Sequence, residues 1–286
     1  MRFITGIADT LRTAVYVGRL IRRGDLKNPF KEWQGEKDKP IYVLANGPSL
    51  KKFLENIGKE WDKYKNAEFF TVNDFVNDPR FTLVKSKYHV MSDPLFFEDT
   101  IYSERGHNAM NALSEKVSWP MILFIPSFQK KSAYLDPVRK NPNIRIVPFQ
   151  YMRYIGLESL RHYFYKRGLG NGEFGTVVLN AIYIALIIGY KMLYVYGIDH
   201  NFFDDITVTK ENVLCFKDKH YYEEETRYRP LVSLDNKPYT MAHFLEEKAT
   251  IFKGHIIMEG FAKAMGATII NCTLHSLVDA YERNRT

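Results

Sequence analysis

Short apolar runs that end in small polar residues recur along the chain, with stretches of helical spacing between them. The most marked run is Ile41-Tyr42-Val43-Leu44-Ala45, which stops at Asn46-Gly47-Pro48-Ser49. An apolar run of this length closed by Gly and Pro predicts a buried parallel strand ending in a tight turn. Ser49 is placed to cap a helix over Leu50 to Ile57. Backbone N–H groups at such a helix start lack partners, and the helix dipole adds positive charge, so the turn is a ready seat for a phosphate or another anion. Gly47 would let that ligand approach the backbone, and Pro48 would stiffen the turn. An ordinary strand-to-helix turn has the same pattern.

The arrangement repeats. Phe69 to Val72 runs into Asn73-Asp74, and Tyr88 to Met91 runs into Ser92-Asp93-Pro94. Met121 to Pro126 and Ile144 to Pro148 are further apolar strands, and Met192 to Tyr196 leads into Gly197-Ile198-Asp199-His200. Ala267 to Cys272 predicts a final strand, followed by a last helix over Ser276 to Arg283. Val177 to Ile188 is apolar on most sides and predicts the central core helix, with Thr176 as its cap and Gly189 at its end. A long helix is expected over Thr240 to Met265, and Asp136 to Tyr165 reads as irregular outside its strand. Strands alternating with helices predict an α/β fold with a parallel, doubly wound sheet. Ligands of such sheets sit at the carboxyl ends of the strands, where Asn46, Asn73, Asp93, Asp199 and His200 all fall. The glycine-rich stretch Gly168 to Thr176 is not preceded by a strand and is not a dinucleotide fingerprint. The polar and aromatic stretch Asn201 to Tyr239 predicts a lid over the site. Residues 1–38 form an N-terminal amphipathic helix and linker, leaving 39–286 as the main domain with its lid at about 201–239.

Composition narrows the class. The 286 residues are 45% hydrophobic and 26% charged, which fits a globular protein with a substantial core. No apolar run is long enough to span a membrane. The formal net charge of +7 favours anionic partners. No zinc-finger spacing or RNA-binding signature occurs, which sets nucleic acid aside. Aromatics at 15%, many in polar company, suit sugar or base binding as well as core packing. Cys215 and Cys272 read as free thiols of a reducing compartment, which predicts a cytoplasmic protein. The basic first helix has two readings: peripheral binding to an anionic membrane surface, at the inner face of the cytoplasmic membrane, or packing on the domain or a second subunit in a homo-oligomer. Asp204-Asp205 and the carboxylates near 223–225 match no metal motif, so no metal site is assigned. Gly-x-Ser-x-Gly and Gly-Lys-Ser/Thr are both missing, which argues against an α/β-hydrolase elbow and a P-loop.

Several of these segments resemble glycosyltransferase family 42, the bacterial sialyltransferases: Asn46-Gly47-Pro48-Ser49, Val72 to Phe75, Asp93 to Glu98, Ala185 to Lys191, Tyr194 to Asp199 and His220-Tyr221. The Asn-Gly-Pro-Ser and Gly-Ile-Asp elements also occur in a broader group resembling 6-hydroxymethylpterin diphosphokinase, many of whose members look like parts of surface-polysaccharide gene sets. The ending Ile269 to Thr273 and Ser276 to Arg283 is closer to that group. The resemblance implies a Rossmann-like glycosyltransferase that uses a CMP-linked sugar as substrate, with no metal or other cofactor, and a glycan or glycolipid acceptor of lipopolysaccharide, O-antigen or capsule assembly. By matching positions, Asn46, Gly47 and Ser49 would contact the nucleotide and its phosphate, and Asn73 the phosphate or sugar. Thr176 would hold the donor's carboxylate or ribose, Gly197 and Asp199 would line the cytidine, and Tyr221 would belong to the lid.

The chain departs from that family where the chemistry lies. The family steadies the leaving phosphate with a tyrosine pair; after Asp199 this chain has His200, Asn201 and Phe202. The family's lid histidine, its general base, is replaced by Glu224. His220, Glu224 and His200 therefore remain alternative bases, and His200 is also placed to act as a cation on the departing phosphate. Three functions stay open: an inverting glycosyltransferase, a pyrophosphate-transferring pterin kinase needing ATP and magnesium, and a non-catalytic nucleotide-sugar-binding scaffold.

Overall fold

The computed structural model describes residues 2–23, 27–35, 37, 39–171, 175–218, 227–233 and 236–284. The apolar runs form β1 (Ile41–Leu44), β2 (Glu68–Val72), β3 (Tyr88–Val90), β4 (Met121–Pro126), β5 (Ile144–Phe149) and β6 (Met192–Tyr196). The lid region carries β7 (Ile206–Val208), β8 (Leu214–Asp218) and β9 (Arg227–Pro230), and the chain closes with β10 (Thr268–Asn271) and β11 (Glu282–Arg283). The helices are α1 (Arg2–Arg23), α2 (Leu50–Lys59), α3 (Trp61–Tyr64), α4 (Phe81–Val84), α5 (Ser103–Lys116), α6 (Asp136–Arg139), α7 (Glu158–Lys166), α8 (Val177–Ile188) and α9 (Met241–Ala264).

Eight parallel strands form one sheet in the order β11-β10-β6-β1-β2-β3-β4-β5, flanked by helices in a Rossmann-like α/β arrangement. Strands β2 to β5 lie on one side of β1, and β6, β10 and β11 on the other. The order thus reverses between β1 and β6, which opens a crevice at their carboxyl ends. A separate antiparallel sheet, β7-β8-β9, occupies the predicted lid. Among the described residues no helix is long and apolar enough to cross a membrane.

Alternation along the strands explains the two apolar layers. In β1, Ile41 and Val43 join the layer of α8 and α9, while Leu44 joins the layer of α2 and α5. Every residue of α8 except Val177 is buried, as its all-round apolar sequence predicts. Its one amide, Asn180, is satisfied by Asn171 at 2.8 Å and by Ser92 Oγ at 3.1 Å. Gly189 ends the helix at φ 109°, a left-handed cap that suits glycine. The first helix lies against the body: Tyr16 OH donates to Leu169 O at 2.7 Å, and Thr13 Oγ1 meets Tyr154 OH at 3.1 Å.

Two sequence expectations fail. The last helix, Ser276 to Arg283, does not form. Ser276 Oγ donates to Ile198 O at 2.6 Å and accepts from Val278 N at 3.1 Å, while Asn271 Nδ2 takes Val278 O at 3.2 Å. These side chains claim the backbone groups that a helix would use. Conversely, α7 lies inside the stretch read as irregular. Its aromatic residues are mediocre helix formers, but Tyr165 packs edge-on against Tyr183 and Phe261, each at 5.4 Å.

Since α8 fills the centre of one layer, Ile184→Ala, at a fully buried position, is expected to cost about 2–5 kcal/mol of stability. Urea unfolding measures this, and an unchanged midpoint would contradict the packing.

Candidate functional site

A cavity of about 340 Å³ opens at the carboxyl ends of β1, β2, β3 and β6. It is lined by Asn46, Gly47, Pro48, Asn73, Asp93, Thr176, Gly197, Asp199 and His200, so residues spread over more than 150 positions meet in one place. Ser49 faces elsewhere, and His220, Tyr221 and Glu224 lie outside the described residues.

The start of α2 is not an open anion seat. Asp199 fills it: Ser49 N donates to Asp199 Oδ1 at 3.2 Å, and Ser49 Oγ to Oδ2 at 2.8 Å. Ser49 makes no capping bond to its own helix. The chain's own carboxylate thus uses the N–H group and dipole that the sequence offered to a phosphate. Gly47 serves the same closure. Its N donates to Gly197 O at 2.9 Å, and a Cβ there would sit 2.0 Å from Asp199 Oδ2 and 2.4 Å from Gly197 O. The close approach that requires glycine is made by the β6 loop, not by a ligand.

The other strand ends are tied to one another. Asn46 Nδ2 donates to Val72 O at 3.2 Å, and Asn73 Nδ2 to Asp93 Oδ2 at 3.1 Å. Asn73 at φ 42° and His200 at φ 51° both hold left-handed backbone, a strained state that clusters at functional sites. Asp93 is accessible from the cavity mouth, yet the surrounding walls desolvate its carboxyl and raise its pKa. Arg105 opposes that rise, Asp74 adds to it, the Asn73 amide opposes it and Glu247 adds to it.

Behind His200 lies a buried chain that sequence reading missed. His200 Nε2 meets His255 Nε2 at 2.9 Å, and His255 Nδ1 meets Tyr281 OH at 2.8 Å. Tyr281 has no other hydrogen-bond partner among the described residues, so its hydroxyl donates to His255 Nδ1. That leaves the His255 proton on Nε2, donated to His200 Nε2, and the His200 proton on Nδ1. Burial, reinforced by Lys248, lowers the His200 pKa to about 4. Burial, reinforced by His200, holds His255 well below the usual histidine range. The cationic role expected for His200 therefore fails at neutral pH, where the ring is an uncharged N–H donor. Its lone pair is engaged by His255, which also removes it as a free base.

The positive charge comes from Lys248 on α9. Its Nζ pairs with Glu247 at 2.6 Å and lies over the Phe202 and Phe244 rings, 4.6 and 5.1 Å from their centroids. In sequence, Lys248 beside Glu246 and Glu247 reads as a solvated helix face, so only the fold reveals it. Thr176 makes no side-chain cap to α8 and lines the cavity together with Val177 and Val178. The α8 start thus presents its first N–H groups and dipole on the same side as Lys248. Lys248 also lines an adjoining hollow of about 260 Å³ walled by Tyr102, Phe216, Tyr239 and Phe244. On the far side of Gly197, a larger hollow of about 510 Å³ runs between α2 and the segment after β10, lined by Ser49, Lys52, Tyr196 and Arg283 among others. Among the described residues no group of three or more His, Cys, Asp or Glu side chains is arranged to hold a metal ion.

Two outcomes follow from this geometry. Gly47→Ala is expected to break the Asp199 closure and lower the melting temperature, while Gly58→Ala, on α2 with open space at its Cβ, leaves it unchanged or raised. Stability is also expected to fall as pH drops from 6.5 towards 5. His89, lowered by burial to about 3, joins His200 and His255 as imidazoles that stay neutral when folded but take up protons when unfolded. His162, lowered by partial burial, Arg161 and Lys166, adds to them, and Asp93, with its raised pKa, works in the opposite sense, one group against four. A melting temperature that stays flat across that window would contradict neutral rings.

No protein-family model matches the sequence, and no curated protein matches it. Among solved structures, the MAf glycosyltransferase from Magnetospirillum magneticum AMB-1 aligns with a TM-score of 0.46 and 13% identity over 91% of this chain. The chain spans 37% of the length of that protein.

Proposed function

We propose that the chain is a glycosyltransferase of surface-glycan assembly, and that the cavity between β1 and β6 takes a sugar nucleotide. The observation that carries this reading is the meeting of two hollows at Lys248. One sits at the strand ends; the other combines four aromatic rings with Arg229, Glu247 and Lys248 and is of a size for a sugar ring. A donor in the first and an acceptor in the second would bring the reacting atoms together near a cation. The resemblance of the strand-end motifs to family 42 points to a CMP-linked acidic donor and to inversion.

In this reading Lys248, Thr176 and the α8 start hold the donor's anionic groups, and Asn46 and Asn73 line its path. The acceptor hydroxyl attacks the anomeric carbon while the bond from that carbon to the phosphate oxygen breaks. The His200 Nδ1–H donates a hydrogen bond to that leaving oxygen. The hydroxyl proton passes to Asp93, which desolvation makes a stronger base than an ordinary aspartate. Asp199 and Ser49 shape the floor and take no part in the transfer.

A thermal-shift series with CMP, CDP, UDP, GDP and ATP, each with and without magnesium, tests the donor. CMP at about a hundred times its Kd should add about 2.7 kcal/mol, or about 5 °C, without magnesium. Lys248→Met should abolish that shift. A response to ATP with magnesium alone would replace this reading by pyrophosphate transfer, and CMP binding without turnover would leave a scaffold. In a transfer assay, Asp93→Asn is expected to lower kcat by about 10²–10⁴-fold and to keep the CMP shift. His200→Phe should cost about 10²–10³-fold.

A further inference from the structure

The arginines at the end of α1 are a second concentration of chemistry, apart from the donor cavity. The inner face of α1 is fixed by buried Thr13, Tyr16 and Leu20, so the helix is part of the rigid body. Its outer face is apolar and open: Ile7, Leu11, Val15 and Ile21 are 52%, 62%, 55% and 60% exposed. At 100° per residue these four fall within about one third of the helix circumference. A helix that packs one side on its domain has no structural need for a second apolar stripe.

Where that stripe ends, Arg19, Arg22 and Arg23 join Arg153 around a cavity of about 600 Å³ that no acidic residue lines among the described residues. None of the four guanidiniums has an ion-pair partner among the described residues. Exposed Phe128 and Ile155 stand at the rim. Phe128 follows β4 and Arg153 follows β5, and all strands of the sheet are parallel, so this basic hollow opens on the same sheet edge as the donor cavity.

We propose that α1 and the arginine hollow form a docking surface for a bilayer carrying anionic headgroups. The stripe of Leu11 and Val15 enters the boundary between headgroups and acyl chains, and the arginines pair with lipid phosphates. Stable peripheral binding takes an apolar and an electrostatic component together, and both occur here side by side. Arginine suits the second because its planar fork matches phosphate oxygens bidentately. Docked in this way, the protein holds its carboxyl sheet edge close to the membrane plane, within reach of lipid-linked molecules.

Sedimentation of the 286-residue chain with phosphatidylcholine vesicles, with and without phosphatidylglycerol, tests the surface. Binding should require phosphatidylglycerol and weaken with added salt. The pair Arg22→Gln with Arg153→Gln should lower the partition coefficient about 30-fold, each arginine near an anionic surface contributing about fivefold. Leu11→Asp with Val15→Asp should abolish binding even at low salt. All four positions are exposed, so an unchanged melting temperature certifies the fold of each variant. Equal binding to both vesicle types, or variants that bind like the wild type, overturns the proposal. So does a concentration-dependent dimer that Leu11→Asp dissolves while vesicle binding persists. The readout needs no turnover and no nucleotide, so it stands or falls apart from the donor assignment.

Discussion

The site rests on one buried carboxylate. Asp199 is 8% exposed and needs strong partners, since an unpaired charge in that position would be costly. It finds them in the backbone and hydroxyl of Ser49 at the positive end of α2. Hydrogen bonds to a charged group contribute about 1.5–3 kcal/mol each, enough to hold the loops after β1 and β6 together. Gly47 is the sterically required complement of that bond. With the α2 start already neutralised, the remaining positive potential belongs to the opposite side of the crevice, where α8 begins and Lys248 projects. One carboxylate thereby decides which wall of the cavity attracts anions.

Much of the framework was legible because a doubly buried parallel strand leaves an unmistakable trace. Runs such as Ile41 to Ala45 and Met192 to Tyr196 are apolar throughout, and their polar stops mark the carboxyl edge. Asn46, Asn73, Asp93, Asp199 and His200 are therefore legible in the sequence as strand-end residues. Their roles are not. That Asp199 would satisfy Ser49, rather than a ligand contacting both, depends on two loops 150 positions apart being drawn together. Lys248, His255 and Tyr281 carry no local signal at all. Helix α9 and the tail bring them to the cavity, and in sequence they are an ordinary charged turn, a core histidine and a tail aromatic. The failed last helix has the same origin: Val278 and Tyr281 are buried at helical spacing, but the side chains of Ser276 and Asn271 hold that segment extended.

The charge distribution separates two tasks. Inside, the buried His89 and His255 and the half-buried His200 are neutral, and Lys248 is held in place by Glu247 and two aromatic rings. Outside, arginines that have no acidic partner among the described residues gather at the end of α1. The net charge of +7 is therefore a poor guide to the interior chemistry.

Gly197 stands between the strand-end cavity and the larger hollow beside α2, and it lines both. Its φ of 75° strains any other residue, and a Cβ there would press on Leu50 Cβ at 3.1 Å. Beside Gly197, Ser49 of the larger hollow is bonded to Asp199 of the strand-end cavity. One glycine and one side-chain pair thus share the divider, and exchanging Ser49 or Asp199 would join the two chambers where exchanging residues elsewhere on their walls would only reshape each one.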